Sequence, residues 1–402
     1  MSEVAQVPQL RFPEFSGEWE DGKLGNYGNL INGLTYSPDN IVDDGLLVLR
    51  SSNVQNGQIY LNDNVYVNLD VDDAALTKED DILICVRNGS KRLIGKSTII
   101  NKNLPKSTHG AFMTVFRGES NKFISHWFHS SIYYKEVHKN LGATINSING
   151  SNLKKFKTIF PLKPEQQKIA VFLSAVDNKI EQLSKKQELL GEYKKGLMQK
   201  IFSQAIRFKA DDGSEFPDWE EKKLGDLIAE ISDGGTPPTS NKGNFGGGIN
   251  WVVIDDIRDE IRITKETLTE TGLSNSSSKL WKPETIILST GATIGRVGIA
   301  KIYTTTKQGV CGIVVNQFTS NLFLKYWFIF NINLLKRFSQ GSSIKEVRPP
   351  TLIKFDISTP SLPEQTKIAN FLSSIDSKIE QVGKQLDESK QFKKALLQQM
   401  FV

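Results

Sequence analysis

The chain has 402 residues, with 50 Lys and Arg against 45 Asp and Glu, a formal net charge of +5 and a pI near 8.9. That length leaves room for two domains of about 150 residues plus connecting elements, and the small basic excess is compatible with nucleic acid without establishing it. Two cysteines, expected in equivalent strands of different domains, argue against a disulfide framework and for a reducing compartment, expected to be the cytoplasm.

The first residues, MSEVAQVPQL, lack the basic-then-apolar order of a signal peptide. The first segment then runs through Trp19, Lys23-Leu24-Gly25, an apolar run holding Cys85, and Trp127-Phe128. The same anchors return as Trp219, Lys223-Leu224-Gly225, Cys311 and Trp327-Phe328. Gly142 and Gly341 lead into Pro164-Glu165-Gln166 and Pro363-Glu364-Gln365, where similarity becomes continuous. Residues 161–202 and 360–401 align without a gap as the same sequence written twice. A repeat constrains architecture before any local signal does. This one predicts an α+β chain with an internal pseudo-twofold: a variable domain over 1–160, a helix over 161–204, a second variable domain over 205–359 and a second helix over 360–402. The most apolar stretch, residues 321–338, is broken by Lys325, Asn331, Asn333 and Lys336, so it reads as a buried amphipathic helix rather than a membrane span.

In the first long helix apolar residues fall at Ile169, Leu173, Val176, Ile180, Leu183, Leu190, Leu197 and Ile201, with Gln187 and Lys194 as polar interruptions. In the second they fall at Ile368, Leu372, Ile375, Ile379, Val382, Leu386, Leu396 and Met400. Alternating steps of four and three predict a coiled-coil seam. Where the first helix has Gln187 and Leu190, the second has Leu386 and Ser389, so the defects are out of step and each helix is the natural partner of the other. A compact domain roughly 35–40 Å across cannot easily bridge both ends of a rod of about 50 Å. The pair is therefore expected to be antiparallel, with a domain at each end; the alternative is that each helix packs only on its own domain.

No catalytic centre emerges. The GKST at 95–98 lacks the first glycine of a phosphate-binding loop at the required spacing, and Gly291, Gly295 and Gly298 do not have the spacing of a dinucleotide fingerprint. His126, His129 and His138 on a helix have no cysteine or acidic set to complete a metal site, so no metal is assigned. Nucleophile-elbow and zinc-protease motifs are absent, and neither Pro237-Pro238 nor Pro349-Pro350 has the flanking residues of an adenine methyltransferase.

The loops are instead rich in groups that read base edges and phosphates. The first domain offers Thr35, Tyr36, Arg50, Ser52, Asn53, Arg87, Asn88, Lys91, Arg92, Asn146 and Asn149. The second offers Thr236, Thr239, Lys242, Arg258, Arg296, Lys307, Gln308, Ser343, Lys345 and Arg348. Arg suits guanine, Asn and Gln suit adenine, and Lys or Ser can hold phosphate. Taken singly each reads as a solvated turn; the case rests on polar loops recurring at the same places in both halves.

Two divergent domains alternating with two near-identical helices, each opened by a Pro-Glu-Gln segment and a Lys-Ile-Ala run, resemble the specificity subunit of type I restriction–modification systems. Gly33-Leu34-Thr35, Gly235-Thr236-Pro237 and the loop from Gly291 to Gly298 carry the likeness further, although Leu34 and Tyr36 depart from the pattern and Arg87 to Gly95 is a longer loop than its counterpart. The resemblance implies two α/β target-recognition domains, each reading one half of a bipartite, asymmetric site in double-stranded DNA, with the antiparallel coiled coil as the ruler of the unread spacer. It implies a chain without activity or cofactor of its own in a prokaryotic cell. Two methylation subunits would bring S-adenosylmethionine and adenine-N6 methylation, and two restriction subunits ATP, Mg2+ and cleavage. A non-DNA coiled-coil scaffold and a fused methyltransferase are the alternatives.

Overall fold

The computed structural model describes residues 7–141, 146–339 and 346–402; Gly142, Gly341, Ser343 and Lys345 lie outside the described residues. The chain divides into two compact units, one comprising the chain up to Lys185 with Gly383–Val402, the other Lys186–Val382. Each unit holds one variable domain and a portion of both long helices.

In the first unit an antiparallel sheet runs in the order Gly28–Asn32, Met113–Gly118, Ile82–Cys85, Ser97–Ile99. Ile82–Cys85 is buried throughout, and alternation of its side chains divides the domain into two cores. Ile82 and Ile84 join Trp19, Phe123, Trp127 and Phe160 on one face; Leu83 and Cys85 join Leu47, Leu49 and Val115 on the other. Against that second face lies a smaller sheet in which Ser107–His109 runs parallel to Leu46–Leu49. The second unit repeats the device. Ile286 and Leu288 face Phe323, Trp327 and Leu372, while Ile287 faces Val252, Trp281 and Ala300. Its main sheet is ordered Ile228–Asp233, Val310–Val315, Ile286–Ser289, Val297–Ala300, Glu260–Ile261. The segment 321–338 forms the helices Asn321–Phe330 and Ile332–Arg337. Lys325, which interrupts the apolar run, is only 1% exposed and ion-paired with Asp259. Among the described residues no helix is long and apolar enough to cross a membrane.

The long helices are Lys163–Phe202 and Leu362–Gln399. Pro164 and Pro363 sit in the first turns, where a missing N–H costs nothing. In the first unit Ile169, Ala170 and Leu173, from the start of one helix, share a core with Leu396, Leu397 and Met400, from the end of the other. In the second unit Met198 and Ile201 meet Ile368, Ala369 and Leu372. Start meets end in both, so the helices run antiparallel as a coiled coil. All the seam positions named from the sequence are buried or half-buried. The same helix starts also pack on their own domains, but neither helix packs there alone. The polar interruption Lys194 is ion-paired with Asp376 at 2.5 Å, and its repeat counterpart Lys393 with Asp177 at 2.5 Å. Beside these pairs the domains differ: Tyr326 Oη donates to Asp376 at 2.7 Å, whereas His126 occupies the corresponding place 3.7 Å from Asp177.

Candidate nucleic-acid interface

Each domain is fastened to the start of its following helix by a buried carboxylate. Arg11 Nε and Nη2 donate to Glu165 at 2.8 and 2.7 Å, and Trp19 Nε1 donates at 3.3 Å. In the second unit Arg207 Nε and Nη2 donate to Glu364 at 3.3 and 2.8 Å, with Trp219 Nε1 at 3.2 Å. The two arginines are each followed by a phenylalanine that meets a helix phenylalanine edge-on, Phe12 on Phe172 and Phe208 on Phe371. This clasp gives the glutamate of Pro-Glu-Gln its purpose and positions whatever the domain presents.

A hydrogen-bonded frame shared by the two domains collects the candidate loops at one edge. In the first domain Leu34 N donates to His109 O, Gly110 N to Leu49 O, Val86 N to Phe112 O and Ile148 N to Val86 O. In the second, Gly235 N donates to Thr306 O, Lys307 N to Val252 O, Thr290 N to Gly309 O and Val347 N to Thr290 O. The frame equates Gly33 with Gly234, and both are glycine for steric reasons. A Cβ would stand 2.1 Å from Gly110 O at the first and 2.3 Å from Lys307 O at the second.

On the first domain's edge Thr35 and Tyr36 lie beside Gly110, and the Arg87 to Asn88 turn bridges to Ser147. Asn88 Nδ2 donates to Ser51 Oγ at 2.9 Å, and Asn146 Nδ2 to Gly89 O at 2.9 Å. Lys91 and Arg92 are exposed on the following short turn, Lys91–Leu93. Gly95 N bonds Cys85 O where Gly295 N bonds Ser289 O, so residues 86–94 stand opposite 290–294 and the first domain's loop is the longer. Its extra length carries Asn88, Lys91 and Arg92. Ser52 is exposed beside this cluster, and exposed Asn149 caps the helix Gly150–Lys154 by accepting from Asn152 N. On the second domain's edge Thr236, Lys307, Gln308 and Arg348 come together around the same frame, with Lys307 Nζ 5.0 Å from the centroid of the Trp251 ring. Thr239 and Lys242 lie on the exposed 239–243 loop. Arg258 is exposed on the loop whose carbonyl closes on Gly298.

Three further residues have internal work. Asn53 is 0% exposed; its Oδ1 accepts from Arg50 N and its Nδ2 donates to Tyr60 O, so it shapes the turn and is not available to a base. Arg50 is ion-paired with Asp63 at 2.9 Å. Arg296 donates to Ile254 O at 3.1 Å and to Asp255 at 3.0 Å. Lys96, the frame equivalent of Arg296, donates to Ser51 O in the corresponding turn. Arg296 thus latches a hairpin to a turn. Arg296→Ala should lower the stability of the second unit by about 1 kcal/mol or less and leave the salt dependence of DNA binding unchanged, as titrations at several salt concentrations would show.

Sequence reasoning missed Phe112, a bulky apolar residue left 56% exposed at this edge; no periodicity marks it. It also missed Asp233, half-buried on the second edge, whose carboxyl is pushed above its ordinary range by burial and then by Glu346. It missed the clasp arginines Arg11 and Arg207 as well, although the repeated Arg-Phe pair is a signal that could have found them. Of the three histidines expected on one helix, His126 on Asn121–Trp127 and His129 in the turn after it are packing residues, whereas His138 on Ser131–Asn140 is exposed. His126 Nε2 lies 3.3 Å from Ser174 Oγ and His129 Nε2 3.3 Å from Ser97 O, and burial lowers both far below the ordinary imidazole range.

The model of the type I restriction modification DNA specificity domain matches residues 16–190 and again 217–388. The MjaIX specificity subunit of a type I restriction enzyme from Methanocaldococcus jannaschii is 36% identical over 191 residues, covering 46% of this chain and 44% of that one. The MjaVIII specificity subunit from the same organism is 25% identical over 418 residues, covering 96% and 92%. The S subunit of a type I system from M. genitalium superposes with a TM-score of 0.63 at 16% identity, covering 98% of this chain and 99% of that one. With two copies of the domain spanning most of its length, the chain belongs to the type I restriction modification DNA specificity family.

Proposed function

We propose that the chain is the DNA sequence-specificity subunit of a type I restriction–modification complex. Each domain reads one half of a bipartite, asymmetric target in double-stranded DNA, and the antiparallel helices fix the unread spacer. The observation that carries this reading is the shared frame. Two domains hold the same loops by the same backbone hydrogen bonds yet place different side chains on them: Arg87 and Asn88 stand where the second domain has Gly291 and Ala292, and Lys307 and Gln308 where the first has Gly110 and Ala111. A conserved support with a variable reading edge is what two unlike half-sites require. Recognition of successive half-sites from one side of a duplex needs a separation near one helical turn, about 34 Å; a helix of 40 residues is about 60 Å long, enough to act as the spacer.

Catalysis belongs, on this reading, to other chains of the complex. Two methylation subunits supply S-adenosylmethionine and transfer a methyl group to adenine N6, and two restriction subunits supply ATP-driven, Mg2+-dependent translocation and cleavage. The chain acts in the cytoplasm of a prokaryotic cell.

Replacing residues 205–359 with the corresponding segment of another such subunit should change one half of the methylated sequence and leave the other half and the spacer intact. Methylome sequencing of cells carrying the chimaera with its methylation subunit reads both halves at once. Change in both halves, or methylation without sequence preference, would refute modular reading.

A further inference from the structure

Phe112 is held out at the recognition edge by the fold itself. Its carbonyl accepts from both Val86 N and Arg87 N, Met113 N closes back on Gly110 O, and Ala111 N is bonded to Leu34 O. Four backbone bonds thus pin the short 110–113 turn, so the ring's position is set by the sheet rather than by a mobile loop. The ring is nevertheless 56% exposed. An aromatic side chain of that size left open on a rigid support forgoes the burial that normally places phenylalanine inside. The residue at the same position of the frame in the second domain is Gly309, so the fold has no need of a ring there.

Its neighbours are polar. Arg87 carries its guanidinium 5.6 Å from the ring centroid, and no carboxylate among the described residues pairs with it. Asn88, Asn146 and Tyr36 complete the patch. Stacking on the ring restricts the guanidinium's orientation, which lowers the cost of fixing it against a base. In the major groove the one apolar feature of the base edges is the thymine methyl group, and phenylalanine is among the residues that contact it.

Resting on the reading of this chain as a DNA-specificity subunit, we propose that Phe112 packs against a thymine methyl group in the half-site read by the first domain and that its ring holds Arg87 toward the neighbouring base pair. Phe112 is then a specificity-determining residue, and that half-site contains at least one thymine contacted through its methyl.

The test uses the complex of this chain with its methylation subunits and duplexes carrying the target found by methylome sequencing. Each thymine of the first domain's half-site is replaced in turn by uracil, which removes only the methyl. The wild-type complex should bind one of these duplexes about fourfold more weakly, the worth of one buried methyl group. Phe112→Ala should bind the natural duplex at least fourfold more weakly and show no further loss on the sensitive uracil duplex. Phe112→Leu should keep part of the sensitivity. Because the ring is exposed, the unfolding midpoint of Phe112→Ala should match wild type, which separates a lost contact from a lost fold. The inference is overturned if the half-site has no thymine, if wild type binds every uracil duplex equally, or if Phe112→Ala remains as uracil-sensitive as wild type. In those cases a wild-type complex that still prefers its target leaves the specificity-subunit reading intact; loss of all sequence preference in wild type would sink that reading instead.

Discussion

Acidification from pH 7 to about pH 4.5 should loosen the first unit well before the second. All four histidines of the chain, at 109, 126, 129 and 138, lie in the first unit. Burial lowers His109, and it carries His126 down to about 3 and His129 to about 4, with the Lys393 ammonium acting in the same direction on the last two. In the unfolded chain these imidazoles titrate near 6.5. Between 6.5 and the folded values the unfolded state therefore binds protons that the native state does not, so stability is full above pH 6.5 and falls as pH drops. For His126 alone, with a side chain 5% exposed, the loss is about 1.4 kcal/mol per pH unit in that window, or close to 3 kcal/mol by pH 4.5. His129 adds to it in the same sense. Asp177, Lys393 and Ser174 face His126, and the carboxylate is already engaged by the lysine. The second unit places Tyr326 where His126 stands and carries no histidine. Hydrogen exchange of the full chain, expressed as protection factors for peptides of each domain, should show protection falling between pH 6.5 and 4.5 in the first domain only. His126→Tyr, which copies the second unit, should reduce that fall. Equal loss in both domains would defeat the argument.

How much of this could be read from the sequence depended on whether a feature repeats. The seam was legible down to single residues because apolar periodicity has a direct physical cause, and the antiparallel direction followed from chain connectivity alone. The domains were legible as α+β modules with anchors at Trp19 and Trp127 because their counterparts recur 200 residues later, but Cys85 and Cys311 are not counterparts: Cys85 stands opposite Ser289, and Cys311 lies on the neighbouring strand Val310–Val315. Side-chain roles in the loops were a different matter. Asn53 and Arg296 have the chemistry of base readers, yet one is buried as a turn former and the other is spent on a backbone carbonyl; composition carries no record of which partner a polar group finds. Phe112 was invisible for the converse reason, since an apolar residue between Ala111 and Met113 looks like core until the turn is seen to hold it outside. The clasp of Arg11, Trp19 and Glu165 lay between these cases. Its members were present as repeated letters, but their meeting depends on a separation of 154 residues.

Removing Glu364 should destabilise the second unit by about 2 kcal/mol. Its carboxylate is 0% exposed and accepts from Arg207 and from Trp219 Nε1. Glu364→Ala leaves a guanidinium that is 23% exposed and keeps Pro217 O, Phe216 O and the fully exposed Asp218 as partners, so the cost is that of the lost charge-assisted hydrogen bonds, about 1.5–3 kcal/mol. Glu364→Gln keeps an acceptor for the indole without the charge and should cost less. Arg207→Ala combined with Glu364→Ala should cost less than the sum of the two single changes, because the second removes a group the first has already orphaned. Glu165→Ala should do the same in the first unit through Arg11 and Trp19. The readout is denaturant unfolding of the full chain, with hydrogen exchange assigning the loss to one unit. Since the clasp joins the domain's entry segment to the first turn of the helix that follows it, a weakened clasp loosens the recognition edge from the coil. On the ruler reading, a Glu364→Ala complex held below its unfolding midpoint should therefore methylate targets of altered spacer more readily than wild type, while both half-site sequences stay the same. A clasp that only stabilises would lower the midpoint and leave spacer preference untouched.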